Sequence, residues 1–139
     1  MLARVAAAQG RSGMSTPLPG QAVAFIQVSD RERALAFYRD TLGMPLHAAD
    51  EHGDFLLAGG ALVRITVLPD YEPHPHPVFG WNVPDLDAVA RDLRERGVRF
   101  TVYEGMGQDD LGIWASPDGR TKVAWFPDPD GNVLSLSQT

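Results

Sequence analysis

From Gln21 onward the apolar positions fall into a period of two. In "QAVAFIQVSD", Val23, Phe25 and Gln27 point to one side of an extended segment and Ala24, Ile26 and Val28 to the other, which predicts a strand. The period then changes. Through "SDRERALAFYRDTLG", Ala34, Leu35, Phe37, Tyr38 and Leu42 recur at helical spacing, Ser29 or Asp30 is a natural N-cap, and Gly43 is placed to end the helix. Three short apolar runs follow, "PLHAAD", "DFLLAG" and "ALVRITVL", separated by "EHG" and Gly59-Gly60, and each predicts a strand. The prolines of "PDYEPHPHP" then exclude a helix or a central strand and predict an extended linker.

After the linker the pattern returns. "PVFGWNV" predicts a strand with Val78, Gly80 and Asn82 on one face and Phe79, Trp81 and Val83 on the other. "PDLDAVARDLRERG" predicts a helix with Pro84 in its first turn, Leu86, Val89, Ala90 and Leu93 as its apolar stripe, and Gly97 at its end. Strand-like runs lie at "RFTVYEG", "LGIWAS", "TKVAWF" and "VLSLS", and the two strand-to-helix joints "VSDRERA" and "VPDLDAV" make an internal repeat visible. The chain therefore divides into two βαβββ modules, about 21–69 and 77–138, around a proline-rich linker at 70–76. A module of about 55 residues has only half a core, so the two must pack together as one domain spanning 19–139. Residues 1–18 are expected to be a disordered N-terminal extension, with Met14 as an alternative start. A weak targeting peptide is the competing reading, although the segment lacks the continuous apolar run of a secretory signal.

Composition narrows the function classes. Hydrophobic residues make up 44% and charged residues 22% of the chain, an ordinary globular balance. A formal charge of -6 argues against nucleic acid or an anionic membrane as partner, since both require clustered Lys and Arg. No apolar run is long enough to span a bilayer. With no cysteine, disulfides, zinc–thiolate sites and thiol catalysis are excluded, and a cytoplasmic location is expected.

"FIQVSDRERALAFYRDTLGM", followed much later by "FPDPDGNVLSLSQ" with the repeat between them, resembles the vicinal oxygen chelate superfamily. That superfamily takes in glyoxalase I, bleomycin-resistance proteins, extradiol dioxygenases and fosfomycin-resistance enzymes. The resemblance runs from Gln21 to Gln138. It implies an α+β fold in which two modules form a curved mixed sheet around a central cavity, with the helices outside, and it implies a homodimer. In metal-dependent members, four positions on the cavity-facing strands supply His, Gln or Glu to one divalent ion. Carried onto this sequence, those positions are Val23, Arg64, Val78 and Ser135. Valine has no lone pair, arginine would repel a cation, and a neutral serine hydroxyl is a poor ligand, so neither a metal nor another cofactor is expected.

The remaining candidates for chemistry are sparse. His74 and His76 in "HPH" could bring two imidazoles together, but they lie among prolines in a linker; His47 and His52 read as surface residues. Ser135 and Ser137 have no neighbouring histidine and no "GxSxG" elbow, so no catalytic residue is assigned. Asp128 and Asp130 read as turn formers, and "GMGQDDLG" as a solvated connection or a lid. By alternation the cavity faces are Val23, Phe25 and Gln27; Leu62, Arg64 and Thr66; Val78, Gly80 and Asn82; Val123 and Trp125; and Val133, Ser135 and Ser137. An arginine directed into such a cavity needs an anionic ligand or an internal acid, with Glu104, Asp109 and Asp110 as candidates. Trp114 and Trp125 offer flat surfaces for stacking, Trp125 ahead of Trp114, whereas Trp81 reads as core.

The candidate ligand-binding residues are thus Phe25, Gln27, Arg64, Thr66, Asn82, Trp114, Trp125 and Ser135. The expectation is a family member without the usual metal ligands that binds a small, partly aromatic or amphipathic molecule. The alternatives are a metal-dependent lyase, isomerase or dioxygenase, and a non-catalytic interaction or regulatory domain.

Overall fold

Each module is built by sending one strand across a helix to its parallel neighbour. In the computed structural model, which describes residues 15–139, β1 (Val23–Val28) leads into α1 (Arg31–Thr41), then β2 (Leu46–Asp50), β3 (Gly53–Ala58) and β4 (Ala61–Val67). The second module repeats this with β5 (Pro77–Asn82), α2 (Leu86–Glu95), β6 (Trp114–Ala115), β7 (Lys122–Pro127) and β8 (Val133–Gln138). The strand orders are β1-β4-β3-β2 and β5-β8-β7-β6. Among the described strands only β1–β4 and β5–β8 are parallel, and a parallel pair requires the long crossover that the helix supplies. The expected N-terminal extension and Met14 lie almost wholly outside the described residues.

The helix boundaries follow local chemistry. Asp30 caps α1 by accepting from the Arg33 amide at 3.0 Å, and Gly43, at φ 78°, ends it in the left-handed region. The helix is α-helical over Arg31–Leu35 and π-helical over Ala36–Thr41, and Tyr38 in its wider part is fully buried. Asp85 caps α2 by accepting from the Ala88 amide at 3.1 Å. Pro84 therefore precedes the cap and does not occupy the first turn, which corrects the reading from sequence.

A second correction concerns "RFTVYEG", which forms no strand. Its alternation is genuine, but its backbone finds partners elsewhere. Thr101 N–H donates to the Trp125 carbonyl at 2.7 Å. Gln108 then replaces a ladder: its Nε2 donates to the carbonyls of Thr101 (2.9 Å) and Gly112 (2.7 Å), and its Oε1 accepts from the Tyr103 amide (2.7 Å). One amide side chain thus satisfies three backbone groups. Of "LGIWAS", only Trp114–Ala115 pairs.

The core lies between the sheets and the helices. Ile26, Val28, Leu56, Val63 and Ile65 from the first sheet join Ala124, Phe126, Leu134 and Leu136 from the second, against Ala34, Tyr38, Leu86, Ala90 and Leu93. Trp81 packs on this cluster beside Phe79 and Phe126.

A polar clasp fastens the two modules. The "DPDGN" turn buries Asp128 and Asn132. Asp128 Oδ1 accepts from the amides of Asp130 (2.9 Å) and Asn132 (2.8 Å), as a turn-forming carboxylate does. Its Oδ2 accepts from Asn132 Nδ2 (2.8 Å) and from the Tyr38 hydroxyl of α1 (2.7 Å). Asn132 also donates to the Gln27 carbonyl (2.8 Å) and accepts from the Tyr71 hydroxyl (2.6 Å). Asp130 receives the Ser29 amide (3.1 Å), the Ser29 hydroxyl and Arg33 (3.2 Å). The turn's side chains are thereby tied both to one another and, through Tyr38, Gln27, Ser29, Arg33 and Tyr71, to the other module and the linker, a network that its turn-like composition does not announce.

Candidate functional site

Since one face of each sheet is committed to the helices, the period of two turns the alternate residues onto a helix-free face. In the first sheet the rows across that face are Val23–Leu62–Leu57, Phe25–Arg64–Phe55 and Gln27–Thr66–Gly53. In the second they are Gly80–Ser135–Trp125 and Asn82–Ser137–Val123, the latter extended to Trp114. A bulge between Pro77 and Phe79 leaves Val78 without a partner on β8, so simple alternation fails at the start of β5. Phe25, Arg64 and Thr66 share the first sheet's face, and Asn82, Trp114, Trp125 and Ser135 that of the second.

The face has distinct regions. Phe25 is 71% exposed despite sitting mid-strand. At the seam of the two modules a hollow of about 190 Å³ is lined by Phe25, Gln27, Tyr71, His74, Val78 and Asn132. On the second sheet Gly80 forms a low floor: a Cβ there would lie 2.7 Å from the Ser135 carbonyl oxygen and collide with its hydroxyl. Trp125 stands beside that floor and packs with Tyr103 at 5.5 Å between ring centres and 81° between planes. Tyr103 was not among the sequence candidates, because the segment carrying it reads as a strand. Ser137 donates to Asn82 Oδ1 at 3.4 Å, and Asn82 to the Thr139 hydroxyl at 3.3 Å. A larger hollow, about 430 Å³, lies elsewhere, between the end of α2 and residues 98–112, lined by Arg94, Arg99, Phe100 and Leu111.

Arg64 is the charged centre of the first sheet's face. Its side chain is only 12% exposed, and its guanidinium lies over the Phe55 ring at 4.5 Å. Nη2 donates to Asp50 Oδ1 at 2.9 Å. The internal acid is therefore Asp50, and Glu104, Asp109 and Asp110 do not serve. Asp109 instead closes its own loop, accepting from the amides of Leu111 and Ile113, both at 2.9 Å. Asp50 also accepts from the amides of His52 (2.9 Å) and Gly53 (3.1 Å). The Arg64 hydrogen bond, then the His52 amide, hold its carboxyl below the usual range.

The residues that the resemblance sets at the family's metal positions are poor donors for a divalent ion. Val23 and Val78 offer no lone pair, and Arg64 is a cation already engaged with Asp50. Among the described residues no group of three or more His, Asp or Glu is arranged to hold a metal. His74 and His76 lie 5.6 Å apart, ring centre to ring centre, both exposed. Among the described residues no helix is long and apolar enough to cross a membrane.

Comparison with known proteins agrees with this architecture. The glutathione transferase FosA of Serratia marcescens is 25% identical over 118 residues, covering 80% of this chain and 74% of that protein. Among solved structures, the antibiotic-binding protein TnmS3 of Streptomyces sp. CB03234 superposes with a TM-score of 0.64 at 27% identity, over 89% of this chain and 98% of that one. A superfamily member from Sphaerobacter thermophilus superposes with a TM-score of 0.66, also at 27% identity, over 88% and 98%. The family model for the glyoxalase/bleomycin resistance protein/dioxygenase superfamily matches residues 20–136, and with the two-module fold in place the chain belongs to that superfamily.

Proposed function

We propose that this chain is a metal-independent member of the superfamily that binds a small, partly aromatic or amphipathic molecule on its helix-free face, as a homodimer. The observation that carries this reading is the make-up of the face: a 71% exposed Phe25 and the Trp125–Tyr103 pair beside a few placed polar groups, Arg64, Thr66, Asn82 and Ser135. Apolar walls with a few oriented polar groups are the usual composition of a small-molecule site. A second copy laid over the exposed Val23 and Phe25 would deepen the shallow seam hollow into a pocket. The antibiotic-binding role of TnmS3 supports the same class of activity by analogy.

Thermal unfolding against a panel of planar aromatic compounds tests the reading. A ligand present at 100 times its Kd should add about 2.7 kcal/mol of stability. The shift should vanish in Trp125→Ala or Phe25→Ala. A panel without hits, or shifts that persist in both variants, would refute the site. Near-stoichiometric Ni, Zn, Mn or Fe in protein purified without a tag would instead favour a metal-dependent lyase, isomerase or dioxygenase.

A further inference from the structure

Arg64 Nη1 is the one buried side-chain nitrogen or oxygen without a hydrogen-bond partner among the described residues. We infer that this nitrogen receives an oxyanion of the ligand, so that the ligand is a carboxylate or comparable acid carried on an apolar, ring-containing body. This inference rests on the binding reading above and names its ligand class.

The guanidinium is fixed on two sides. Phe55 lies under its plane at 4.5 Å, and Asp50 takes Nη2 at 2.9 Å through the same Oδ1 that accepts the His52 and Gly53 amides. Asp50 is thus a positioning residue, itself locked by the β2–β3 turn. The pair is single-pronged: Asp50 engages one side of a fork built to bind two oxygens in parallel. A guanidinium offers only donors, so the open prong can be satisfied only by an acceptor. A buried charged donor left without one is destabilising and is retained where it has a task. No further acid supplies that acceptor. Asp54, the buried carboxylate of the neighbouring strand, lies on the opposite face and is taken by Arg31 at 3.0 Å. Nη1 is buried, so a ligand oxyanion must displace what covers it to complete the fork, and the ligand's ring would then lie along the Phe25–Arg64–Phe55 row.

The test is calorimetric titration with a matched pair of probes, 2-naphthoate and its neutral isostere 2-naphthamide. The wild type is expected to bind the acid at least about tenfold more tightly than the amide, as a charge-assisted hydrogen bond implies. Arg64→Gln should reduce that ratio to about one. Arg64→Lys, which keeps the charge but loses the fork, should give an intermediate ratio and guards against misfolding of the glutamine variant. Equal affinities in the wild type, or a preference that survives Arg64→Gln, would overturn the inference and leave the binding site standing. If neither probe binds, or if binding survives both Phe25→Ala and Trp125→Ala, the site reading falls together with it.

Discussion

The buried clasp makes the sharpest stability prediction. Replacing Tyr38 by Phe keeps the ring and its edge-on packing against Phe37, 5.1 Å between centres, and removes only the hydroxyl that donates to Asp128 Oδ2 at 2.7 Å. Asp128 then keeps three donors, two on Oδ1 and only Asn132 Nδ2 on Oδ2. A hydrogen bond to a charged group contributes about 1.5–3 kcal/mol, and here the site is fully enclosed, so a loss of about 2 kcal/mol is expected. In urea denaturation the midpoint should fall with an unchanged m-value, because no surface is gained or lost in the native state. Asp128→Asn should cost at least as much, since its new NH₂ would face donors. The two losses should not add: with Tyr38→Phe already made, Asp128→Asn should cost about 1 kcal/mol or more less than it does alone. A Tyr38→Phe loss below about 0.5 kcal/mol, or full additivity with Asp128→Asn, would refute the claim that this pair holds the modules together.

Burial, followed by the nearby Asp128 charge, drives the Tyr38 hydroxyl's pKa far above its ordinary value. A raised pKa means that its contribution is complete below about pH 10, the unfolded value, and is lost as pH climbs beyond it. Absorbance at 295 nm should therefore show Tyr38 ionising only with unfolding, and a native-state titration of all three tyrosines would refute this. Gly80→Ala should destabilise by about 1–3 kcal/mol through overpacking against the Ser135 backbone, read by thermal unfolding; a neutral result would mean that β5 and β8 can part freely. Gln108→Ala should strand the Tyr103 amide and two carbonyls, with faster amide exchange confined to residues 98–112 and a weaker Tyr103–Trp125 contact seen in tryptophan fluorescence. Exchange that stays unchanged there would show that the brace is dispensable.

Most of the fold was legible because its periods are clean. Alternation in β1 and β4 separates Ile26 and Val28 from Phe25, and Val63 and Ile65 from Arg64, and the register keeps each set on its own face. Relations set by pairing geometry were not legible. Asp50 meets Arg64 only because the β2–β3 turn folds back beside β4, which no spacing of 14 residues announces. "DPDGN" has the composition of any exposed turn, so nothing in it distinguishes a wet carboxylate from Asp128, buried under Tyr38. "RFTVYEG" misled for the converse reason: its residues suit a strand, yet Gln108 takes up backbone groups that a neighbouring strand would otherwise pair.

The open face sets limits on what can occupy it. Burying a whole aromatic side chain removes about 150–250 Å² from water, so covering the exposed part of Phe25 is worth about 3 kcal/mol at ~25 cal/mol per Å². That alone supports no useful affinity once the cost of immobilising a ligand is subtracted. Additional area must come from Leu62 and Phe55 on the first sheet and from Trp125 on the second, with Tyr103 beside it. An occupant that gains from both has to cross the β1–β5 seam, where Asn132 donates to the Gln27 carbonyl and ties the two modules. Loosening that clasp should therefore weaken binding even though Tyr38 and Asp128 touch no ligand. Tyr38→Phe titrated well below its unfolding midpoint should show reduced affinity for aromatic probes, whereas Gly59→Ala in the β3–β4 turn, destabilising through its φ of 57° although a Cβ there meets no neighbour, should not. Equal losses in both variants would mean that affinity follows global stability and not the alignment of the two sheets.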